Sequence, residues 1–270
     1  MTSTIARDQS VHFELVELDL LATHAGVPFP YPLRAPSFGR IAGERDALLA
    51  EAGHALRARG LADRHGPLGV AADLVTALRD HRGAVDVVVV GAGTATGVVA
   101  MVHRHWAVVC GQSLGAAPAG TVRVRRVART ELTGALAEAV PAVPAAATIP
   151  VTLPPGVVRE ALRALGEPAD EAEARHRLRD LLRDHGGDPD VVDRLTELLP
   201  NVVGRGQLGA TRRTDGGGVR AGAELSWLDG PRGRVRIDHA DDGWTSINPL
   251  RRNELLRELS AAATVAREPW

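Results

Sequence analysis

Two groups of predicted β-strands, each joined by short turns, most constrain how this chain can fold. In each group, Val-rich or alternating runs are separated by only a few turn-forming residues. Connections this short cannot carry a crossover helix, so neighbouring strands must pair antiparallel. The predicted strands are Val85–Val90, Gly97–His103, Trp106–Gly111 and Thr121–Ala128 in the first group, and Val202–Arg212, Val219–Trp227, Arg234–Asp238 and Trp244–Ile247 in the second.

Predicted helices flank both strand groups in the same order. The chain starts with a predicted strand at Val11–Glu17 and a short helix that closes at Gly26, and a Pro- and Ala-rich connection runs from Val140 to Pro155. The other predicted helices are Glu44–Arg59, Val70–Arg82, Glu131–Ala139, Val157–Leu165, Asp170–His185, Pro189–Leu199 and Leu250–Ala263. The repeated order predicts an α+β protein in which two similar halves share one mainly antiparallel, twisted sheet, with helices packed at its sides.

One strand of the second group also predicts a core residue. In the alternating run Ala-Glu-Leu-Ser-Trp-Leu-Asp, Leu225 and Trp227 share a face. We therefore expect Trp227 to be buried against the sheet.

Charge and cysteine content exclude several classes of protein. The 32 basic residues, all of them Arg, balance 33 acidic ones to a net charge of −1, whereas a nucleic-acid surface needs a strong basic excess. The single cysteine, Cys110, leaves no intrachain disulfide partner, which is typical of a reducing compartment. The first residues lack the apolar core of a signal peptide. We therefore expect a cytoplasmic protein that binds no nucleic acid.

Two uncharged stretches imitate membrane spans. Residues 139–158 contain five prolines, which rule out a continuous helix, and residues 87–102 are short for a span and are broken by three glycines. We predict no direct membrane insertion.

The glycines at 91, 93 and 97 follow a predicted strand, as they would in a dinucleotide-binding loop. Their spacing is GxGxxxG rather than GxGxxG, and no acidic residue lies between Asp86 and Glu131. β-Branched residues follow Gly97 where a helix is required. We interpret the segment as a hairpin turn and predict no cofactor.

Gly111-Gln-Ser113-Leu-Gly115 matches the nucleophile elbow G-x-S-x-G, and an Asp and then His239 follow in the order of a hydrolase triad. The elbow needs a helix directly after the serine, but Pro118 and Gly120 lead into another predicted strand. A plain loop is our interpretation. A serine hydrolase of the α/β type that uses Ser113 is the alternative.

The remaining candidates for chemistry lack the neighbours that chemistry needs. His103 and His105 would project from one face of an extended segment, but no Cys, Asp or Glu lies nearby in the sequence to complete a metal site. Cys110 lies in an apolar strand, which is typical of a buried, inert thiol. We predict no catalytic and no metal site, and interpret the chain as a binding protein rather than an enzyme.

Three segments together resemble the EspG family, the cytosolic chaperones of type VII (ESX) secretion in actinobacteria. GERDALLAEAGHALRARGL at Gly43–Leu61 is similar to a helix of that family. Arg205–Ile237 resembles its G-x-hydrophobic-G strand, its hairpin and its W-x-D-x-x-x-G-R strand pair, here Trp227, Asp229, Gly233 and Arg234. Trp244–Ser260 resembles its closing strand, Pro and Leu-rich last helix.

The resemblance implies a single domain over residues 1–270, with an N-terminal half at 1–140 and a C-terminal half at 150–270 related by a pseudo-twofold axis. Two helical bundles would flank the sheet. The implied function is to bind a helical secreted protein or heterodimer of PE/PPE type and to keep it soluble for export.

By the same resemblance, strand-connecting loops and the C-terminal bundle would form the binding surface. The alternative for the Gly91–Thr96 turn is a plain hairpin end. The predicted contact residues are Gly93, Thr94, Ala95, Thr96, Leu198, Leu199 and Asn201.

Overall fold

One antiparallel sheet organises the molecule, as seen in a computed structural model that describes residues 10–115, 120–148, 150–157, 171–198, 202–215 and 217–268. Within these residues the strand order is β1-β5-β4-β3-β2-β7-β8-β9-β10-β6. The strands are β1 Val11–Phe13, β2 Gly83–Gly91, β3 Thr94–Val102, β4 Trp106–Ser113, β5 Val122–Ala128, β6 Val151–Leu153, β7 Gly204–Thr214, β8 Gly217–Gly230, β9 Gly233–His239 and β10 Thr245–Pro249. The predicted α+β class and antiparallel sheet are confirmed.

The two halves of the chain meet at the pairing of β2 with β7, which we call the seam. Counted outward from the seam, the strands follow the same chain order in both halves, β2-β3-β4-β5-β1 and β7-β8-β9-β10-β6. At the seam Val85 lies opposite Ala210 and Val90 opposite Arg205, in an antiparallel register. The halves are therefore related by a pseudo-twofold axis that passes through the seam.

Helices cover both faces of the sheet. The helices of the described residues are α1 Leu15–Ala25, α2 Ala42–Ala58, α3 Gly69–Asp80, α4 Leu132–Ala137, α5 Glu171–Asp184, α6 Val192–Leu198 and α7 Arg252–Val265. In α3, Leu74, Val75 and Leu78 are all buried. None of the described helices is both long and apolar enough to cross a bilayer.

Three apolar clusters divide these helices between the two faces. On one face, which we call the helix-pair face, α4 and α7 pack over the centre of the sheet with Val85, Leu208 and Trp227. On the opposite face, which we call the bundle face, α1–α3 pack over the outer strands of the first half. There, α5 and α6 pack over the outer strands of the second half. The bundles thus lie at the two sides of the sheet.

Close packing on both faces of the sheet explains the two glycines of the G-x-hydrophobic-G strand, Gly206 and Gly209 in β7. A Cβ added at Gly206 would lie 1.9 Å from the ring of Trp227, and one at Gly209 would lie 2.2 Å from the guanidinium of Arg220. Only glycine therefore leaves room for these two side chains, which lie on opposite faces. Trp227 is 1% exposed, which confirms the prediction that it is buried.

The acidic and basic residues of the W-x-D-x-x-x-G-R motif form a buried ion pair. Arg234 Nε donates to Asp229 Oδ1 over 2.6 Å and its Nη2 donates to Oδ2 over 2.9 Å, while the guanidinium lies 5.3 Å from the ring centroid of Trp227. Asp229 lies in β8, beyond the predicted strand end at Trp227, because this pairing holds it against β9. The turn itself is formed by Pro231 and Arg232.

Other expectations need correction. The strand predicted at Val11–Glu17 ends at Phe13, because Glu14 and Glu17 form a capping box that starts α1 at Leu15. The connection from Val140 to Pro155 contains a strand, β6, which pairs with β10 at the sheet edge. Of the helix predicted at Val157–Leu165, only Val157 lies within the described residues.

Candidate functional site

The β2–β3 turn is a tight, exposed hairpin. Gly91 pairs with Thr94, so Ala92 and Gly93 alone form the turn, and Gly93 takes a left-handed φ of +72°. A side chain is strained at such a φ, whereas glycine is not. The predicted hairpin is confirmed, but Thr94, Ala95 and Thr96 lie in β3 rather than in a loop, because they continue the pairing with β2.

The predicted contact residues of this turn are divided between the two faces of the sheet. Ala95 is half-buried and belongs to the bundle face, since it alternates with Val98 and its neighbours on the helix-pair face. Thr96 is exposed on the helix-pair face and lines, with Ser113, a hollow of about 270 Å³ beside α4. Ala95 and Thr96 cannot therefore contact the same flat surface.

The seam brings the β2–β3 turn next to the second half of the chain. The end of β2 pairs with the start of β7, with Val90 opposite Arg205, and α6 leads into β7 after Leu198. Val203, at this junction, is 58% exposed. Of the contact residues predicted in the second half, the backbone of Leu198 ends α6, whereas Leu199 and Asn201 lie outside the described residues. The turn and the junction thus share one end of the sheet.

Between the two bundles, the bundle face carries a partly exposed surface that we call the inter-bundle strip, formed by Val88, Val90, Gln207, Ser226 and Leu228. All five side chains are half-buried. Leu228 also packs against the core of the second bundle. At its turn end the strip contains Val90 and Leu228, with the exposed Arg205 paired between them, and it continues into Ala95 and Val203.

A charged cluster closes the other end of the strip. Arg220 reaches across Gly209 to both carboxylate oxygens of Asp86, and its Nε donates to Glu224 Oε1 over 2.6 Å. Gln207 Nε2 donates to the same carboxylate of Glu224 over 3.3 Å. Burial raises the pKa of the Asp86 carboxyl, against the opposing hydrogen bond from Arg220. This cluster is tied together across the seam and marks where the apolar strip ends.

The proline-rich loop between α1 and α2 forms a wall beside the strip. A Cβ added at Gly97 would lie 2.8 Å from Pro32 Cγ, so glycine allows the loop to lie directly on β3. Arg34 is anchored to the side chain of Gln112 by its N–H at 2.7 Å and its carbonyl at 2.8 Å. Tyr31, next to Pro32, is 62% exposed. The loop therefore presents an exposed aromatic ring next to the residue that contacts β3.

Asp19 holds the far part of this loop. Its carboxylate accepts hydrogen bonds from the Phe38 N–H at 2.8 Å and from Arg45 Nη1 at 2.7 Å. Burial alone would raise the pKa of Asp19, but these bonds from Arg45 and Phe38 outweigh it and lower the pKa below its ordinary value. The loop is thus fixed by an ionised group of α1.

Ser113 is not placed as a hydrolase nucleophile. It ends β4, and the chain returns as the antiparallel strand β5 from Val122, whereas a nucleophile elbow belongs to a parallel sheet. His239 lies in β9, five strand spacings away, or roughly 24 Å at the usual spacing. Its Nδ1 lies 3.0 Å from Thr245 Oγ1. The alternative hydrolase arrangement is therefore not formed.

Sequence reasoning missed three parts of this surface: the wall made by the proline-rich loop, the Asp86–Arg220 pair and the strip itself. The glycines at 97 and 209 were the available signal, because each marks a close approach to its strand. The identity of the approaching group is a tertiary property, which no spacing along the chain reports.

Comparison with known proteins gives one family and one fold. A model of the EspG family matches residues 14–261. No curated protein sequence matches the chain significantly. Among solved structures, the chain is similar to the Mycobacterium tuberculosis type VII secretion system chaperone EspG5 in complex with the PE25–PPE41 dimer, with a TM-score of 0.65 and 14% identity, over 96% of this chain and 95% of that chain.

Proposed function

This chain belongs to the EspG family, and on that premise we propose that it is a cytoplasmic chaperone of type VII secretion. It binds a helical secreted protein or heterodimer of PE/PPE type and keeps that protein soluble until export. It acts by binding and not as an enzyme. Support comes from the family match over residues 14–261 and from the fold shared with EspG5, whose solved structure contains a PE25–PPE41 dimer.

The observation that carries the proposal is the meeting of two halves at one end of the sheet. The β2–β3 turn of the first half and the start of β7 in the second lie side by side there, at the turn end of the inter-bundle strip. The turn from Gly91 to Thr96 is uncharged. We propose that this end receives the partner.

The physical logic is the covering of apolar surface. An exposed apolar helix tip favours aggregation in water. Val88, Val90, Ala95 and Leu228 can cover such a tip with small or branched side chains, and the exposed ring of Tyr31 adds a larger contact at the loop wall. Burying these surfaces against each other is favourable by about 25 cal/mol per Å² of apolar area.

The test is co-expression with the small helical proteins encoded beside this gene, followed by size-exclusion chromatography. We expect a stable complex that is lost in Ala95→Arg, because the charged side chain would project into the strip, with the fold unchanged by circular dichroism. Ala55→Arg is the matched control, since Ala55 is exposed on α2, away from the strip. The proposal fails if no adjacent or PE/PPE-type protein co-elutes, and the site fails if Ala95→Arg binds normally.

A further inference from the structure

The end of the sheet opposite the β2–β3 turn contains an open cleft of about 440 Å³ that the proposed chaperone function does not use. Three separate chain segments supply its walls, and they are rich in basic side chains. The lining residues are Arg79, Asp80, His81, Arg82, His103, Arg104 and Arg213. We call this surface the basic cleft.

The sheet holds the three segments together by backbone hydrogen bonds. The Arg82 N–H donates to the Val102 carbonyl over 2.8 Å, which ties the α3–β2 junction to the end of β3. The Arg213 N–H donates to the Arg82 carbonyl, also over 2.8 Å, which ties in the end of β7. The backbone hydrogen bonds of the sheet thus fix the three walls relative to one another.

Charge is concentrated in this cleft. Four guanidinium groups face one carboxylate, an excess of three positive charges, in a chain whose net charge is −1. Like charges that converge on one concave surface raise the local concentration of anions. Such a concentration is costly to the folded state unless an anion or another group offsets it.

Two of the arginines donate hydrogen bonds to carbonyl groups at the C-termini of helices. Arg79 donates to the Ala25 carbonyl over 3.2 Å and also to the His24 carbonyl, at the C-terminus of α1. Arg213 Nη1 donates to the Leu78 carbonyl over 3.2 Å, at the C-terminus of α3. Cations at helix C-termini complement the macrodipole. These contacts also hold both guanidinium groups in place.

Arg82 and Arg104 have no such explanation. Both side chains are exposed, and neither guanidinium group has a hydrogen bond or an ion pair within the described part of the chain. They line the cleft from two different segments, the α3–β2 junction and the β3–β4 turn. A pair of unengaged guanidinium groups beside two anchored ones can donate several hydrogen bonds to one multivalent anion.

His103 gives an independent sign of a missing partner. Its Nδ1 is buried without a hydrogen-bond partner, although the ring is fixed by stacking on Trp106 with centroids 4.5 Å apart. The guanidinium of Arg126 covers the Trp106 ring, 4.8 Å from its centroid. Buried polar atoms usually have a partner, and His103 lines the cleft, so a ligand or water that enters the cleft is a candidate partner for the ring.

We propose that the basic cleft binds a phosphate-bearing anion through Arg82 and Arg104, with Arg213 and His103 completing the site. Guanidinium groups match the geometry of phosphate oxygens and bind them in a bidentate manner. The short cleft accommodates a headgroup or a small phosphorylated molecule rather than an extended nucleic-acid backbone, which needs a longer basic track. The phosphate can come from a free small molecule or from the headgroup of an anionic lipid.

The imidazoles of the cleft provide a reporter of binding. Burial first, and then the charge of Arg104 and its neighbours Arg82 and Arg126, lower the pKa of His103, while Asp80 opposes this effect. A bound anion adds negative charge beside the ring. Its binding should therefore raise the pKa of His103, which NMR titration of the ring protons can follow.

The experiment measures binding of pyrophosphate by calorimetry at low, fixed ionic strength, in three proteins. We expect the wild type to bind and Arg82→Gln/Arg104→Gln to lose at least about tenfold in affinity. Arg252→Gln/Arg257→Gln removes the same charge from exposed positions of α7 and should bind like the wild type. Co-sedimentation with phosphatidylcholine vesicles, with or without phosphatidylglycerol, tests the lipid source.

Either source supports the proposal if its binding is lost only in the cleft variant. Binding of pyrophosphate alone assigns a free phosphate ligand, and binding of the phosphatidylglycerol vesicles alone assigns a lipid headgroup. The proposal is overturned if the wild type binds neither probe, or if both double variants lose affinity equally. A pKa of His103 that stays constant on saturation would remove His103 from the site.

Discussion

The two ends of the central sheet have the same backbone architecture but expose different side chains. At one end, the β2–β3 turn of the first half lies beside the start of β7 in the second; at the other, the end of β7 lies beside the α3–β2 junction of the first. The pseudo-twofold axis relates these ends. The first is partly apolar and carries one exposed arginine, Arg205, whereas the second contains the basic cleft.

This difference shows which properties the fold shares between the ends and which it leaves free. Antiparallel pairing at the seam requires that each end receive one hairpin turn and one helix-to-strand junction. It places no demand on the side chains exposed there. Gly93 and Ala95 at one end and Arg82 and Arg104 at the other therefore give the two ends different surfaces on one backbone plan.

Both ends of the sheet depend on an intact centre, so removing the side chain of Trp227 should have the largest effect on stability. The ring is buried over Gly206 and under Arg234, so Trp227→Ala should lower the free energy of unfolding by about 3–5 kcal/mol. Chemical denaturation of the purified variant measures this. The half-exposed Trp244 is the control, and its alanine variant should lose less. An unchanged midpoint in Trp227→Ala would contradict the packing described for β8.

The second prediction concerns the face of the sheet that binds the partner at the β2–β3 turn. Ala95→Arg places a charge on the bundle face, and Thr96→Arg places the same charge one residue later on the helix-pair face. Because a buried, unpaired charge is costly, we expect Ala95→Arg to weaken partner binding at least about tenfold and Thr96→Arg to change it little. Calorimetry with the co-purified partner decides, and equal losses would contradict the assignment to the strip.

The third prediction is that the basic cleft and the loop held by Asp19 lose stability in different pH ranges. Burial, together with Arg213 for His81 and Arg104 for His103, lowers both imidazole pKa values below their ordinary 6.5. The unfolded chain then binds more protons, so stability at the basic cleft is lost as the pH falls below about 6.5. The lowered pKa of Asp19 instead stabilises the loop between α1 and α2 until the pH falls below 3.8, the ordinary pKa of an Asp carboxyl.

Amide hydrogen exchange, corrected for intrinsic rates, measures both windows. The Arg82 amide bonds to Val102 at the basic cleft, and the Phe38 amide bonds directly to Asp19. We expect Arg82 to lose protection at the higher pH and Phe38 only in acid. His81→Gln should flatten the response at Arg82. Loss of protection at both amides in one window would show that the cleft and the loop do not respond separately.

The smallest effect is expected from salt on partner binding. Contacts through Val88, Val90 and Ala95 are apolar and are screened little, so raising the salt should change the partner affinity less than about twofold. Pyrophosphate binding at the basic cleft should fall steeply in the same series, because salt screens exposed guanidinium groups. A steep salt dependence of partner binding would place charged groups in that interface.

Most helices and strands of this protein follow from local sequence signals. Alternating and apolar runs placed the strands of both groups to within a few residues, and the glycines at 26 and 60 marked the ends of two helices. The repeated element order predicted two similar halves, and the motif around Trp227 and Arg234 indicated the family. These signals are local, because side-chain periodicity is set by the backbone of each element.

Which residues distant in the sequence come into contact depends on the tertiary structure. β6 was missed because three residues in a proline-rich connection carry too little periodicity, and only pairing with β10 makes them a strand. Asp86 and Arg220 meet over Gly209, and Arg82, Arg104 and Arg213 form one cleft, because the seam fixes their register. Sequence spacing predicts which face a residue occupies, but the register of distant strands depends on packing of the whole sheet.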